Sequence, residues 1–296
     1  MFAIVGLLVV FGAVLGGFLM EKGQIAVLLQ PAELLIIGGA AVGTLLAANP
    51  MHILKSIAGG LKNVFGASPF SKTRYLDTLK MMYEFLNKIR REGLQAVEGD
   101  IETPEESKLF QQYPLFLKER YIRDFVCDTM RMAITGGVEP FDMDQMMELD
   151  MDVRHHGATQ PVNALSTVAD ALPGLGIVAA VLGVVITMGA LGGPPELIGH
   201  KVASALVGTF LGILLCYGLV GPLSSNMAKS AEEERAFLHV FRVLMLSFIK
   251  GLPPILAVEI ARRAIPSHVR PSFAEMETAC KSQAAAPVKT EEAVHA

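Results

Sequence analysis

Four long runs of apolar residues dominate the hydrophobic pattern of the chain, and each has the character of a membrane-spanning helix. A helix needs about 20 apolar residues to cross the hydrocarbon core of a bilayer. The predicted spans cover residues 2–20, 34–48, 171–189 and 202–220. The second run is short, so it needs the preceding Pro31 and Ala32 to reach across.

The remaining sequence has the periodicity of amphipathic helices. An apolar stripe with intervals of three and four residues follows the second span; its members are Tyr75, Leu79, Met82, Leu86 and Ile89. Such spacing places side chains on one face of an α-helix, and Gly93 offers a stop. Further helices are predicted over 115–135, 141–154 and 237–248. The pattern therefore predicts an all-α membrane protein with four transmembrane helices and a large helical cytoplasmic domain.

The basic residues orient the spans. Of the 25 Lys and Arg residues, only Lys22 and Lys201 fall in the two short connections between spans. Positive residues accumulate on the cytoplasmic side, so these connections are expected outside and both termini in the cytoplasm. The predicted organisation is a transmembrane hairpin at 1–49, a cytoplasmic helical domain at 50–169, a second hairpin at 170–222, C-terminal helices at 223–281 and a disordered tail at 282–296.

Composition narrows the function classes. The chain is 52% hydrophobic and 18% charged, with a mean hydropathy of +0.45, as expected for spans joined to an aqueous part. The net charge of −4 gives no basic surface for nucleic acid. The sequence has no phosphate-binding loop, no paired-cysteine motif and no hydrolase or zinc-protease motif. We therefore expect no enzyme, no cofactor and no metal site.

The spans carry almost no titratable groups. Glu33 is expected at the outer edge and Asp170 at the inner edge, although ion routes are usually marked by ionisable residues within spans. A conducting protein would need its carboxylate from another chain, and a passive scaffold would need none. A small-solute transporter would need a polar midplane site, which these spans lack. Small residues favour close helix packing, within one subunit or between subunits; they are Gly174, Gly176, Gly183, Ala205, Gly208 and Gly212.

Several stretches resemble the MotA family, the A subunit of the flagellar motor stator. They are QPAELLIIGGA (30–40), RREGLQAVEGDIETPEES (90–107), LPGLGIVAAVLGVV (172–185), ALVGTFLGILLCYGLVGPL (205–223) and RPSFAEME (270–277). The resemblance covers nearly the whole chain in the same order. The distant relatives ExbB and TolQ share only spans similar to the third and fourth, and they lack the first hairpin.

The resemblance implies an inner-membrane, multi-pass subunit that forms a homo-oligomeric, pentameric ring in membrane lipid. A MotB-like, peptidoglycan-anchored partner would supply an intramembrane aspartate, and ion flow would generate torque. Pro173 and Pro222 match prolines that couple the ion site to the cytoplasmic domain, and Thr209 matches a pore-facing threonine. Gly176 is assigned to the same ion pathway. Ala180 stands where sodium-driven relatives have threonine, which favours protons as the transported ion.

The resemblance also assigns Arg90 and Glu98 to contact with a FliG-like switch protein of the rotor. Their spacing of eight residues, with Gly93 between them, argues against a simple ion pair along one helix. Two alternatives remain at this point. One is an ExbB/TolQ-like energiser of outer-membrane transport, and the other is a non-conducting membrane scaffold.

Overall fold

The computed structural model describes residues 2–66, 68–189 and 192–281. Within these ranges the chain is helical and has no β-strand. The predicted tail at 282–296 lies outside the described residues. The described α-helices are α1 (Phe2–Met20), α2 (Ile25–Leu28), α3 (Pro31–Ala48), α4 (Met51–Val64), α5 (Lys72–Glu92), α6 (Glu98–Glu102), α7 (Pro114–Lys118), α8 (Arg120–Thr135), α9 (Pro140–Met188), α10 (Pro195–Leu215), α11 (Gly221–Ile249), α12 (Pro254–Ala264) and α13 (Phe273–Lys281).

Packing divides the chain into two compact units, each made of two chain segments. The first, here called the span unit, contains residues 1–67 and 156–231. The second unit contains residues 68–155 and 232–296. Helix α4 and the middle of α9 thus pack with the spans, whereas the sequence grouped residues 50–169 into one domain. The sequence-based domain boundaries stay a prediction.

Four helical segments are long and apolar enough to cross a membrane, which confirms the predicted fold class. Helix α1 has the predicted bounds, and α3 begins at Pro31. Proline suits the first position of a helix because its missing N–H would have no partner there. The third predicted span is the last part of the longer helix α9, and the fourth is α10 with a five-residue π-helical turn, Cys216–Val220.

Two small apolar clusters hold the span unit together. In the first, Ile37 and Ala41 of α3 pack with Leu172 and Ala179 of α9. In the second, the buried face of α4 packs against α9 and α11; its members are Ile57, Val64, Val162, Leu165 and Met227. Most of the remaining apolar side chains of the spans point outward, as expected for helices whose solvent is lipid.

The second unit has a conventional apolar core. All five residues of the predicted α5 stripe are buried, which confirms that stripe: Tyr75, Leu79, Met82, Leu86 and Ile89. Aromatic rings extend the core, with Phe85 against Phe110 and Phe237 against Phe241. Helices α12 and α13 close it. Burial of apolar surface is the main stabilising contribution in such a unit.

Two helix boundaries differ from the sequence prediction. The helix predicted over 115–135 is interrupted at Glu119, whose backbone leaves the helical region (φ −93°, ψ 86°), so it forms α7 and α8. The Glu119 carboxylate is paired with the buried Arg74 of α5. The helix predicted over 141–154 is the beginning of α9. In contrast, α5 ends at Gly93 as expected, at a φ of 89° that favours glycine.

Candidate functional site

Helices α9 and α10 cross in the span unit at a point where neither has a side chain. A Cβ on Gly176 would lie 2.8 Å from the carbonyl oxygen of Gly208. A Cβ on Gly212 would lie 2.6 Å from the carbonyl oxygen of Leu172. These distances are too short for a carbon and an oxygen, so the two backbones touch directly. Gly176, Gly208 and Gly212 therefore pack α9 against α10 within one chain, which is one of the two interpretations that the sequence offered.

The crossing brings together three of the residues that the resemblance singled out. A Cβ on Gly176 would lie 3.3 Å from Cα of Thr209. A Cβ on Gly208 would lie 3.3 Å from the backbone nitrogen of Ala180. Gly174 takes no part, because a Cβ there would meet nothing within 4 Å. Gly176, Ala180 and Thr209 thus form one local site, although their role in ion transport stays a prediction.

The Thr209 hydroxyl is free to bind a ligand. Thr187 and Thr44 donate their hydroxyls to carbonyls of their own helices, at 2.8 and 2.9 Å. This is the usual bond of a threonine inside an apolar helix. Thr209 makes no such bond with any residue in the described ranges, and its side chain is half-buried. A polar group in a membrane helix without a local partner is suited to contact with an ion or a partner chain.

Pro173 lies inside α9 and not at a helix end. The helix continues through it from Pro140 to Met188. Because proline has no N–H, the carbonyl of Ala169 loses its helical donor. Pro173 precedes Gly176 by three residues and thus shares its face of the helix. The backbone of α9 is therefore weakened within the stretch that contacts α10, because Leu172 and Gly176 on either side of Pro173 both lie against Gly212.

Pro222 is preceded by an irregular turn. The five residues Cys216–Val220 form a π-helical turn before α11 begins at Gly221. This wider turn accommodates the proline ring, which would clash with the carbonyl four residues earlier in a regular helix. Pro222 itself is exposed and lies thirteen residues after Thr209, about 20 Å along a helix. It is therefore not part of the crossing.

Glu33 lies in the first turn of α3, at the end of the span where the sequence placed it, and its burial is a finding of the structure. Only 5% of its surface is exposed. Its Oε2 fills the space that Gly208 leaves open, where a Cβ would lie 2.7 Å away. Among the described residues this oxygen has no hydrogen-bond partner. A glutamate at the start of an apolar run is an unusual feature that the sequence does show. Only the packing of the helices shows that this glutamate is buried.

Arg90 and Glu98 lie in the second unit and are both exposed. Arg90 is in the last turn of α5, and Glu98 begins α6 after a 3₁₀ turn, Leu94–Val97. Neither forms an ion pair with a residue in the part of the chain that the structure describes. The two charges are thus available to a partner, as the sequence interpretation required. Contact with a rotor stays a prediction.

Other ionisable groups of the second unit are held by ion pairs or burial. Hydrogen bonds from Arg262 lower the pKa of Glu259 to about 2. Burial raises the pKa of Glu84 and raises the pKa of the Cys127 and Cys280 thiols to about 12. Thiols of this kind are inert at neutral pH because the thiolate is the reactive form. These groups stabilise the unit and offer no reactive centre.

Comparison with known proteins places the chain in a family. A sequence model described as Motility protein A N-terminal matches residues 4–93, and one described as the MotA/TolQ/ExbB proton channel family matches residues 117–237. Motility protein A of Escherichia coli is 39% identical over 277 residues, and that of Salmonella typhimurium is 38% identical. Each alignment covers 94% of this chain and 94% of the relative. This chain belongs to the motility protein A family.

Further relatives match over most of their length. The chemotaxis protein LafT of Vibrio parahaemolyticus is 33% identical over 272 residues, covering 92% of this chain and 95% of that protein. Among solved structures, the C. jejuni MotAB structure aligns with a TM-score of 0.75 over 92% of this chain and 98% of the matched chain, at 19% identity. The flagellar MotAB stator complex of Bacillus subtilis aligns with a TM-score of 0.72 over 90% of this chain and 96% of the matched chain, at 20% identity.

Family membership confirms the central sequence-based prediction. The chain is a flagellar motility protein of a proton channel family, and it is a membrane protein. The match of the N-terminal model to residues 4–93 covers the first hairpin, which the sequence comparison had used against the ExbB/TolQ-like alternative. The transport role of individual residues is not decided by these similarities.

Proposed function

We propose that this chain is the A subunit of a proton-driven flagellar stator. The observation that carries the proposal is the α9–α10 crossing, with its free hydroxyl at Thr209 in an apolar wall. Between residues 171 and 188 of α9 and between residues 202 and 215 of α10 there is no titratable side chain. Such a wall can guide a charged group, but it cannot itself carry the charge.

The missing charge is supplied by a second protein. In this proposal a MotB-like, single-span, peptidoglycan-anchored subunit places an intramembrane aspartate against the wall. The B. subtilis structure of the same fold is a flagellar MotAB stator complex, and this supports a two-component assembly for the present chain. Loading and releasing a proton changes the charge of that aspartate and hence its preferred contact with the wall.

Several copies of the chain surround the partner in a homo-oligomeric, pentameric ring. The spans present large exposed apolar side chains on the membrane parts of α9 and α10, including Ile177, Val181, Val185, Leu206 and Ile213. Contiguous apolar surface of this size is suited to neighbouring helices and lipid. Rotation of the ring around the anchored partner brings identical walls past the aspartate in turn, which converts ion flow into steps of rotation.

The transported ion is a proton. Ala180 contributes only a methyl group at the crossing, and sodium requires several oxygen ligands. The matching family is a proton channel family, which supports the same ion. Moving one charge through 100 mV releases about 2.3 kcal/mol, several times the thermal energy, so each proton can drive a directed step.

The span unit lies in the inner membrane with both chain termini in the cytoplasm, as the distribution of Lys and Arg indicates. The second unit then faces a FliG-like rotor protein through Arg90 and Glu98. Exposed opposite charges suit a fast and reversible contact, because surface electrostatics accelerates encounter more than it strengthens binding.

Two measurements test this function. The chain, tagged after Ala296, is purified from native membranes, and co-purifying proteins are identified by mass spectrometry. We expect a single-span protein with an aspartate in its span and a peptidoglycan-binding domain. Vesicles containing the purified pair should take up protons under an imposed potential, and replacing sodium with choline should not slow uptake. An intact oligomer without such a partner, or vesicles that conduct no protons, would refute the proposal and favour the scaffold.

A further inference from the structure

Glu33 is the one titratable side chain in the described membrane stretches of α1, α3, α9 (172–188) and α10 (202–215). It stands in the first turn of α3, yet it does not face the aqueous edge. Its Oε2 reaches Gly208, which lies thirteen residues after the start of α10 and about 9 Å beyond the start of its apolar run at Val202. The carboxyl is thus covered by this chain's own helices, independently of any partner.

The carboxyl meets α9 and α10 among small residues. A Cβ at Gly208 would meet Glu33 Oε2 at 2.7 Å, the Cβ of Ala179 at 3.1 Å and the nitrogen of Ala180 at 3.3 Å. Among the residues that the structure describes, Oε2 has no hydrogen-bond partner and Glu33 has no ion pair. An ionised carboxylate without a partner is costly to bury in such a setting.

One feature of the position opposes complete neutralisation. Glu33 is the third residue of α3, and unpaired N–H groups at a helix N-terminus favour negative charge. Desolvation therefore destabilises the ionised form of the carboxyl, whereas the helix terminus stabilises it. Lys201 and His200 lie two turns or more from Gly208 along α10, and Glu21 and Lys22 lie in the loop after α1. A group balanced in this way can exchange its proton, whereas one held by a single dominant contact cannot.

The carboxyl lies directly behind the predicted ion-pathway residues. Gly208, which it touches, precedes Thr209 along α10, and Ala180 adjoins the same contact. We propose that the Glu33 carboxyl is a second proton-binding site of the transport pathway, supplied by this chain. This inference rests on the proposed function for the direction of proton flow. Glu33 accepts a proton from hydronium on the outer side, forming an O–H bond, and then releases it to the partner's carboxylate.

Sodium is a poorer occupant than a proton. A sodium ion needs several oxygen ligands, and the other atoms that line the space at Gly208 are the Cβ of Ala179 and the backbone nitrogen of Ala180. A proton needs only one carboxylate oxygen. Gly208 leaves just enough room for the carboxyl, so the site is built from a missing side chain on one helix and an acid on another.

Infrared spectroscopy tests whether Glu33 is protonated. The complex is reconstituted in lipid with its partner, and the wild type is compared with Glu33→Gln. We expect a C=O band of a protonated carboxyl in the wild type that shifts in D₂O, weakens as the pH is raised and is missing in the variant. Glu21→Gln, in the loop after α1, is the matched control and should keep the band. If wild type and Glu33→Gln show no difference in this band at neutral pH, the proposal is overturned, because the Glu33 carboxyl would then be ionised.

Proton uptake by vesicles tests whether that proton is exchanged. Glu33→Gln keeps the shape of the side chain but cannot bind a proton, so we expect uptake to fall by about tenfold or more. Glu33→Asp should keep a large part of it, and Glu21→Gln should keep all of it. Membrane abundance and co-purification of the partner are measured for each variant, so that misfolding is recognised.

The outcomes separate the two proposals. If wild-type vesicles do not conduct protons, the proposed function fails. If the wild type conducts and Glu33→Gln conducts at the same rate, only the role of Glu33 is overturned. If Glu33→Gln is assembled normally but slow, with Glu33→Asp faster, the second proton site is supported. If Glu33→Gln and Glu33→Asp slow proton uptake by the same factor, the side chain acts in packing, and the proposal is also overturned.

Discussion

Gly176 of α9 and Gly212 of α10 lie against each other with no side chain between them. A Cβ on Gly212 would lie 2.9 Å from Cα of Gly176 and 2.6 Å from the carbonyl oxygen of Leu172. Because both obstacles are backbone atoms, they cannot rotate away as a flexible side chain could. The crossing therefore fixes the distance between the helices that carry Ala180 and Thr209.

Gly212→Ala should separate the two helices and destabilise the span unit. Overpacking of a tight contact typically costs about 1–3 kcal/mol, and the shift of Thr209 should also slow swimming. Thermal aggregation of the purified protein in detergent measures the first effect, and swimming speed measures the second. Gly174→Ala is the matched control, because a Cβ there meets nothing within 4 Å. Equal stability of the two variants would show that the helices do not approach as described.

Pro173→Leu and Pro222→Leu should abolish swimming while membrane insertion and assembly survive. Each substitution restores an N–H and lets the helix close a hydrogen bond that the native chain lacks, so a weak point of the backbone becomes rigid. Pro195→Leu serves as the control, because a proline at the first position of α10 removes no helical bond. Motility assays combined with membrane immunoblots measure both effects. Normal swimming of either variant would show that the substituted proline has no role in coupling ion flow to the cytoplasmic unit.

Charge reversal at Arg90 or Glu98 should impair recruitment to the motor without changing membrane insertion. Both side chains are exposed and form no ion pair within the described ranges, so their loss should hardly affect folding. Fluorescence of a tagged protein at the motor, compared with its total membrane abundance, measures recruitment. Lys118→Glu, an exposed lysine on α7, is the control. Unchanged recruitment in both reversals would identify these residues as ordinary surface.

Glu259 should stabilise the protein in a pH-dependent manner. Its pKa is lowered from 4.5 to about 2 by hydrogen bonds from Arg262 and Arg263, so folding favours the ionised form. That stabilisation is fully present above the ordinary pKa and is lost as the pH falls through the folded pKa. Glu259→Gln should therefore lower the melting temperature at pH 7, and the difference from wild type should shrink between pH 4.5 and 2. Glu277→Gln, which removes an exposed pair with Lys281, should have little effect.

The sequence predicted the regular parts of the fold well. Helix α1 was predicted with its observed bounds, and the apolar stripe from Tyr75 to Ile89 is buried throughout. These features depend on local periodicity and on the length of apolar runs, and both can be read directly from the sequence. The break at Glu119 was missed because it coincides with an ion pair to Arg74, a residue 45 positions earlier.

Site prediction depended on a different kind of information. Resemblance to the family selected Pro173, Ala180 and Thr209, and no periodicity could have ranked them above their neighbours. Glu33 was placed correctly at the end of a span, but nothing in the sequence indicated that it is buried. Whether a carboxyl at the start of a helix is solvated or buried depends on which residues pack over it. Here one of those residues is Gly208, which is 175 residues away in sequence.

The sequence by itself determined that this protein has four apolar spans and an additional helical part, because hydrophobic length and period are properties of the chain. It also determined the family, since the matching stretches keep their order. Only the tertiary structure decided which glycines touch, that α9 continues through Pro173, that a π-turn precedes Pro222, and that Glu33 is enclosed. The glycine contacts and the burial of Glu33 depend on how closely helices far apart in sequence approach each other, and that approach is a property of the packed helices together.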